Sequence, residues 1–386
     1  MISWNSLLTG SREEHDNLRY SECNDGVPKI VVWNTTSACN LRCQHCYFAA
    51  RPTSAANELS QKEAEDFIED LADLGVAVLL FSGGEPLLRK DIFGLGKFAQ
   101  DRGIRTVLST NGTLITEEAA EQIKQAEFSY AGISLDGLER INDKFRNKPG
   151  AFTQALKGIA NCQKVGLKVG LRLTLTKHNL ADLAAIFDLV EREEIRRLCI
   201  YHLVYTGRGA SLKENDLTHQ ERRKALELIW VRTTDFSQRQ LKIEVLTVDN
   251  HADGVWIYLK LKKIDPQRAQ QVFELLETQG GNSSGIKIGA VDNCGRIFAD
   301  QFFRTHVLGN IRQTKFSLVW QDRENIFLQQ LRNRAPLLKG RCQRCNFLSI
   351  CNGNFRARAE AVFNDPWAED PACYLTDQEI KCPLYG

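Results

Sequence analysis

Cys39, Cys43 and Cys46 stand in the order C-x3-C-x2-C, with Tyr47 directly after the third thiol. Three thiolates can hold three irons of a [4Fe-4S] cube and leave the fourth iron an open position for a substrate or cofactor. Such a site points to catalysis, not to passive electron storage. Zinc is the alternative, but a structural zinc closes its shell with four ligands, and His45, between two of the thiols, is poorly placed as the fourth. A second group, Cys342-x2-Cys345-x5-Cys351 with Cys373 downstream, supplies four thiols. Four thiolates suit either structural zinc or a fully ligated [4Fe-4S] cluster, and spacing leaves both open. Cys294 and Cys382 have no evident partner, while Cys23, Cys162 and Cys199 read as ordinary thiols.

Short polar segments accompany the thiols. In Ser82-Gly83-Gly84-Glu85-Pro86 the glycines let backbone approach a ligand, and Glu85 offers an acceptor for an ammonium group; a plain turn is the alternative. Ser109-Thr110-Asn111-Gly112 and Ser134-Leu135-Asp136-Gly137 put small polar side chains at the ends of apolar runs, and Arg172 can fork a carboxylate. Asn111 and Asp136 are equally suited to capping the next helix.

Regular elements must position these ends. From residue 29 to 205 a unit of roughly 25 to 35 residues repeats, an apolar strand followed by an amphipathic helix, which means parallel strands with crossover helices. The pattern predicts strands over 30–35, 76–82, 105–110, 130–135, 168–176 and 198–205. Six repeats are too few for a closed eight-fold barrel, so the expected fold is α/β, a partial (β/α)6 TIM barrel with its chemistry at the C-terminal strand ends. The helix after the cysteine loop shows its start in Ser60 and Glu63, a capping box, and its apolar stripe in Phe67, Ile68 and Leu71. A composition shift near 206–216 marks the end of the repeats, and the expected organisation is an N-terminal extension over 1–28, the barrel over 29–210, a bridging region over 211–290 and a smaller C-terminal domain, carrying the second cysteine group, over 291–386. The glycine-rich segment 280–285 reads as a flexible loop able to close over a ligand.

With 386 residues, 43% hydrophobic and 25% charged, the chain can bury one large core and a smaller one. A formal charge of +2 gives no nucleic-acid footprint. No apolar run nears the roughly 18 to 20 residues that span a bilayer, and the first residues lack a signal-peptide pattern, so no membrane partner is expected and the cytoplasm is the expected compartment.

The C-x3-C-x2-C-Tyr segment behind an apolar strand, with Gly83-Gly84-Glu85-Pro86, resembles the signature of the radical S-adenosylmethionine (SAM) enzymes, and the resemblance covers most of the chain. It implies that Cys39, Cys43 and Cys46 hold a cluster whose open iron chelates SAM, and that one electron cleaves SAM to a 5'-deoxyadenosyl radical. It further implies that Tyr47 lies beside the adenine and that Gly83, Gly84, Glu85 and Pro86 meet the methionyl amine. Ser109, Asn111, Ser134, Asp136 and Arg172 would meet the ribose and carboxylate. Cys342, Cys345, Cys351 and Cys373 resemble the auxiliary-cluster domains called SPASM or twitch, which implies a second [4Fe-4S] cluster. Thr314 and Phe355 stand where a full SPASM domain has cysteines, so one auxiliary cluster is expected.

Several stretches are similar to the tetrapyrrole-modifying radical SAM proteins of the sirohaem-dependent haem pathway and of haem d1 synthesis (the AhbC and NirJ group): 201–209, 246–254, 281–285 and 351–375. That resemblance implies didecarboxysirohaem as substrate, with loss of two acetates to give Fe-coproporphyrin III, or of propionates on the way to haem d1; a peptide-modifying maturase is the more distant alternative. Arg208, Arg304 and Arg356 are candidates for the substrate carboxylates, and Trp256, Phe302 and Phe303 for the ring face. His202 and His251 are candidate proton donors or iron ligands, with structural histidines as the alternative. An electron donor such as ferredoxin or flavodoxin is implied, and the auxiliary cluster is expected to take up electrons left as the ring gains conjugation.

Overall fold

The computed structural model describes residues 1–10, 16–20 and 26–383; Cys23 lies outside them. Among the described residues, eleven strands form one sheet: β1 (Ile2–Ser3), β2 (Ile30–Asn34), β3 (Val78–Ser82), β4 (Arg105–Thr110), β5 (Tyr130–Ser134), β6 (Val169–Leu175), β7 (Arg197–His202), β8 (Glu244–Val248), β9 (Ile288–Val291), β10 (Arg296–Phe298) and β11 (Gly309–Asn310). Their order is β1-β8-β7-β6-β5-β4-β3-β2-β9-β10-β11. The strands β2 to β7 pair in parallel, each with the next, as the six repeats require. Runs such as Val-Val-Trp in β2 and Val-Leu-Leu-Phe in β3 are apolar on both faces because helices cover one face and the barrel lumen lies on the other.

The sheet continues past residue 210. Strand β8 pairs in parallel with β7, β9 pairs in parallel with β2, and β10 and β11 extend that edge in antiparallel fashion. At the other edge β1 pairs antiparallel with β8, fixed by a hydrogen bond from Trp4 Nε1 to Thr247 Oγ1 at 3.1 Å. Strand β7 ends at His202, three residues before the apolar run does; beyond it Val204 packs with the Phe303–Phe355 cluster instead.

The helix Gln61–Leu74 follows the cysteine loop and starts with the capping box, Ser60 and Glu63 each bonding the other's backbone N–H. Its Phe67, Ile68 and Leu71 are buried, Phe67 edge-on to Trp33 of β2 at 5.9 Å, each contributing about 1.5–3 kcal/mol by burial. The 280–285 segment is pinned, contrary to the flexible loop expected of its composition. Gly281 at φ +66° lies so close to Cys351 that a Cβ would sit 2.3 Å from its carbonyl carbon. Buried Arg334 donates to Asn282 Oδ1 at 2.6 Å and to the Ser284 carbonyl at 2.7 Å. Among the described residues, no helix is long and apolar enough to cross a membrane.

Candidate active site

The loop after β2 brings Cys39, Cys43 and Cys46 to one cavity at the C-terminal ends of β3 to β7. Backbone bonds lock it down: Cys39 N donates to Arg51 O, Gly84 N to Thr36 O and Glu85 N to Ala38 O, each at 2.7 Å. The paired glycines serve this approach. Gly83 has φ +125°, and a Cβ on Gly84 would lie 2.0 Å from the Ala38 carbonyl oxygen. Gly84→Ala is therefore expected to displace Cys39 and lower SAM cleavage about a hundredfold, measured as 5'-deoxyadenosine formed while circular dichroism reports an intact fold.

Burial pushes the Cys39 thiol up to about 12 and raises Cys43 as well. Such thiols ionise only when a cation offsets the charge, which a metal cluster would do. Arg146 supplies part of it, with Nη1 3.6 Å from Cys43 Sγ, and it also pairs with the Asp136 carboxylate. His45 stacks on Phe145 at 4.5 Å and sits 3.3 Å from Asp136, with burial lowering its pKa to about 4. Arg146 carried no motif. Its one signal was its place at the end of the helix Glu139–Arg146, just beyond the Asp136 turn.

Of the residues expected at SAM, Tyr47, Gly83, Gly84, Ser109, Asn111, Ser134 and Arg172 line the cavity with the thiols. Tyr47 donates to Asn34 Oδ1 at 2.7 Å and sets its ring edge-on to Phe302 at 5.0 Å. Arg172 bonds Ser109 Oγ and keeps a buried Nε without a partner, lying over Gly132, where a Cβ would meet it at 2.3 Å. Three residues lie elsewhere. Glu85 is fully buried, accepting from Thr110 Oγ1 at 2.7 Å and Asn111 N at 2.8 Å; burial pushes its carboxyl up against these bonds. Pro86 opens the 3-10 turn Pro86–Leu88 behind it. Asp136 turns away to His45, Arg146 and Thr174 N, bracing the cysteine loop from below. Both carboxylates are oriented inward because a buried charge needs these donors.

The cavity opens into the barrel lumen, and Arg172, Tyr201, Asp249, Gln301 and Phe302 line both. The lumen floor is apolar strand surface from Val32, Val78, Leu80, Val107, Leu246 and Val248, and its wall carries Arg19, Lys29, Arg105, Arg172, Arg197 and Lys287. His251 lines it with a buried Nδ1 that has no partner. His202 reaches the first cavity, but its Nε2 is 2.8 Å from Asp253 Oδ2, and Asp253 Oδ1 accepts from Tyr374 at 2.8 Å.

The arginines expected at substrate are committed to the fold. Arg208 borders the cavity, yet its Nε donates to Cys43 O and its Nη1 to Ala50 O, both at 2.8 Å, so it clamps the cysteine loop. Gly207 beside it, at φ +59°, would bring a Cβ within 2.3 Å of Tyr47 O. Arg304 stacks on Phe48 and Phe298 and reaches Asp292 at 3.5 Å, outside both cavities. Arg356 is fully buried, donating to the carbonyls of Pro366, Ala368 and Gly353. Trp256 packs between Trp4 and Trp230, and Phe303 against Phe327, so of the three aromatics only Phe302 faces substrate space.

Cys342, Cys345, Cys351 and Cys373 line a separate small cavity. Burial raises all four thiols, Cys373 to about 12. Asn352, Gly353 and Asn354 all take positive φ, reversing the chain behind Cys351 at residue types that tolerate it. Arg356 then bonds that turn through Gly353 O. The all-thiol donor sets, three in the first cavity and four here, fit one open and one closed cluster. Cys294 and Cys382 line neither.

Residues 33–190 match the radical SAM superfamily. The chain is 49% identical to the Fe-coproporphyrin III synthase of Methanosarcina barkeri, over 98% of this chain and 99% of the relative. It is 40% identical to the pre-heme d1 synthase of Dinoroseobacter shibae, over 92% and 88%. The crystal structure of Streptococcus suis SuiB bound to its precursor peptide SuiA superposes with a TM-score of 0.73 at 20% identity, covering 91% of this chain and 76% of SuiB, a likeness of fold.

Proposed function

The chain belongs to the radical SAM superfamily, and from that premise we propose that this enzyme removes the two acetate side chains of didecarboxysirohaem to give Fe-coproporphyrin III. Its cofactors are SAM and [4Fe-4S] clusters. The observation that carries the reading is the lumen: an apolar floor for a flat macrocycle, with basic side chains along its wall, opening onto the three-thiol cavity. The relative of higher identity is also the one named for making Fe-coproporphyrin III.

When bound, SAM and the open cluster supply a carbon radical that abstracts a hydrogen atom. The chain's residues do the rest. Cys39, Cys43 and Cys46 hold the cluster, and Tyr47, Ser109, Asn111 and Arg172 position SAM against it. Phe302 packs at the junction, and the strand floor excludes water from the reacting edge of the ring. A reduced ferredoxin or flavodoxin is the proposed electron donor.

Propionate loss is the second reading, favoured by the likeness to a pre-heme d1 synthase. Anaerobically reconstituted enzyme with SAM, reductant and didecarboxysirohaem separates the two by product mass. Loss of two acetate groups is expected. Loss of propionates would establish the second reading, and SAM cleavage with an untouched macrocycle would overturn the substrate.

A further inference from the structure

Asp249 follows β8 and is the single carboxyl residue, among the described residues, that lines both the three-thiol cavity and the lumen. Its backbone takes φ +66°, a conformation seldom adopted outside glycine and the short polar residues, which aims the side chain at that junction. The residue is 8% exposed, and its Oδ2 is buried with no hydrogen-bond partner. Arg358 spends its Nη2 on the Asp249 backbone carbonyl at 2.6 Å and its Nη1 on Asp370. The carboxyl is thus neither a cap nor a salt-bridge partner.

The reaction has an atom to account for at that place. Taking a hydrogen atom from the ring carbon beside an acetate-bearing carbon leaves a radical positioned to break the bond to the acetate. The ring gains a C=C bond and the side chain departs as a carboxymethyl radical, •CH2COO−. One electron and one proton convert it to acetate. Electron bookkeeping therefore runs opposite to the expectation that the auxiliary cluster takes up electrons: each acetate lost consumes one, from the same low-potential one-electron donor class that SAM cleavage requires. The proton needs a donor close to where that bond breaks.

We propose that Asp249 is the acid that delivers this proton to the departing carboxymethyl fragment, an inference that rests on the acetate-removal reading. The charged groups facing its carboxyl are Arg358, the Met1 amino group and Asp300. Burial pushes the carboxyl up to about 7, with Arg358 and the amino group opposing, so the donor form is present below that pH and lost above it.

The test uses holoenzyme in D2O and weighs the acetate released for each 5'-deoxyadenosine formed. Wild type yields acetate with one solvent deuterium, and the ratio falls as pH rises through about 7. Asp249→Asn, which keeps a residue tolerant of positive φ, retains SAM cleavage while the acetate ratio drops about a hundredfold and loses its pH dependence. Asp249→Glu recovers most of the ratio. Macrocycle affinity, read from its absorbance in oxidised holoenzyme without reductant, is unchanged in both variants. Undiminished acetate from Asp249→Asn, or acetate without solvent deuterium from wild type, overturns the donor role. Lost macrocycle binding in both variants would reassign Asp249 to binding and overturn it too. No acetate from wild type overturns the acetate reading and this inference together.

Discussion

Cys43→Ala is expected to abolish formation of 5'-deoxyadenosine, with or without macrocycle, while the four-thiol site still loads. Cys43 is one of only three thiols in its cavity, so its loss leaves two ligands for a cluster that already lacks a protein ligand at one iron. It is also the thiol that Arg146 faces at 3.6 Å, and Arg146 is held by Asp136. Removing the thiol leaves that guanidinium without an anionic partner on the cluster side. Iron content should fall from about eight to about four atoms per chain, because only one cube remains. Iron analysis and chromatography of the nucleoside check both statements. Retained SAM cleavage would remove this loop from the radical chemistry.

Cys345→Ala is expected to do the converse. SAM cleavage persists, because the three-thiol cavity is lined by none of the residues around Cys345. Formation of the modified macrocycle drops by roughly tenfold or more, the pattern of a residue needed after the first step and not for it. The physical route is short. Cys351 O accepts from Asn282 N at 3.2 Å, and Asn352 Nδ2 donates to Asn282 O at 2.9 Å, so the four-thiol site is bonded to a lumen wall residue. Tyr374, next to Cys373, reaches His202 through Asp253. A collapsed cluster loop therefore disturbs the lumen even though the first cavity stands. The ratio of macrocycle product to 5'-deoxyadenosine measures this, and an unchanged ratio would deny the auxiliary site any part in the later steps.

Gly84→Ala complements these two. It alters no ligand and tests whether the close backbone approach under Cys39 matters as much as the thiol itself.

What was legible in the chain was local. The spacing of Cys39, Cys43 and Cys46, the Ser60–Glu63 capping box and the six strand–helix repeats all lie within a few residues or one repeat, where periodicity and ligand spacing carry the information. Cys342, Cys345, Cys351 and Cys373 were legible for the same reason, with Cys373 the longest reach. The directions of buried polar side chains were not legible. Glu85 and Asp136 sit in the right segments but turn inward, and Arg208 and Arg356 are spent on carbonyls. A buried or half-buried charge goes wherever the folded chain supplies partners, and those partners lie far along the chain, 165 residues between Arg208 and Cys43 and 247 between Asp70 and Ser317. The same holds for the sheet beyond the repeat. β1 lies against β8, β9 against β2, and Asp249 at the junction of two cavities because strand order, a long-range outcome of packing both faces of one sheet, put them there.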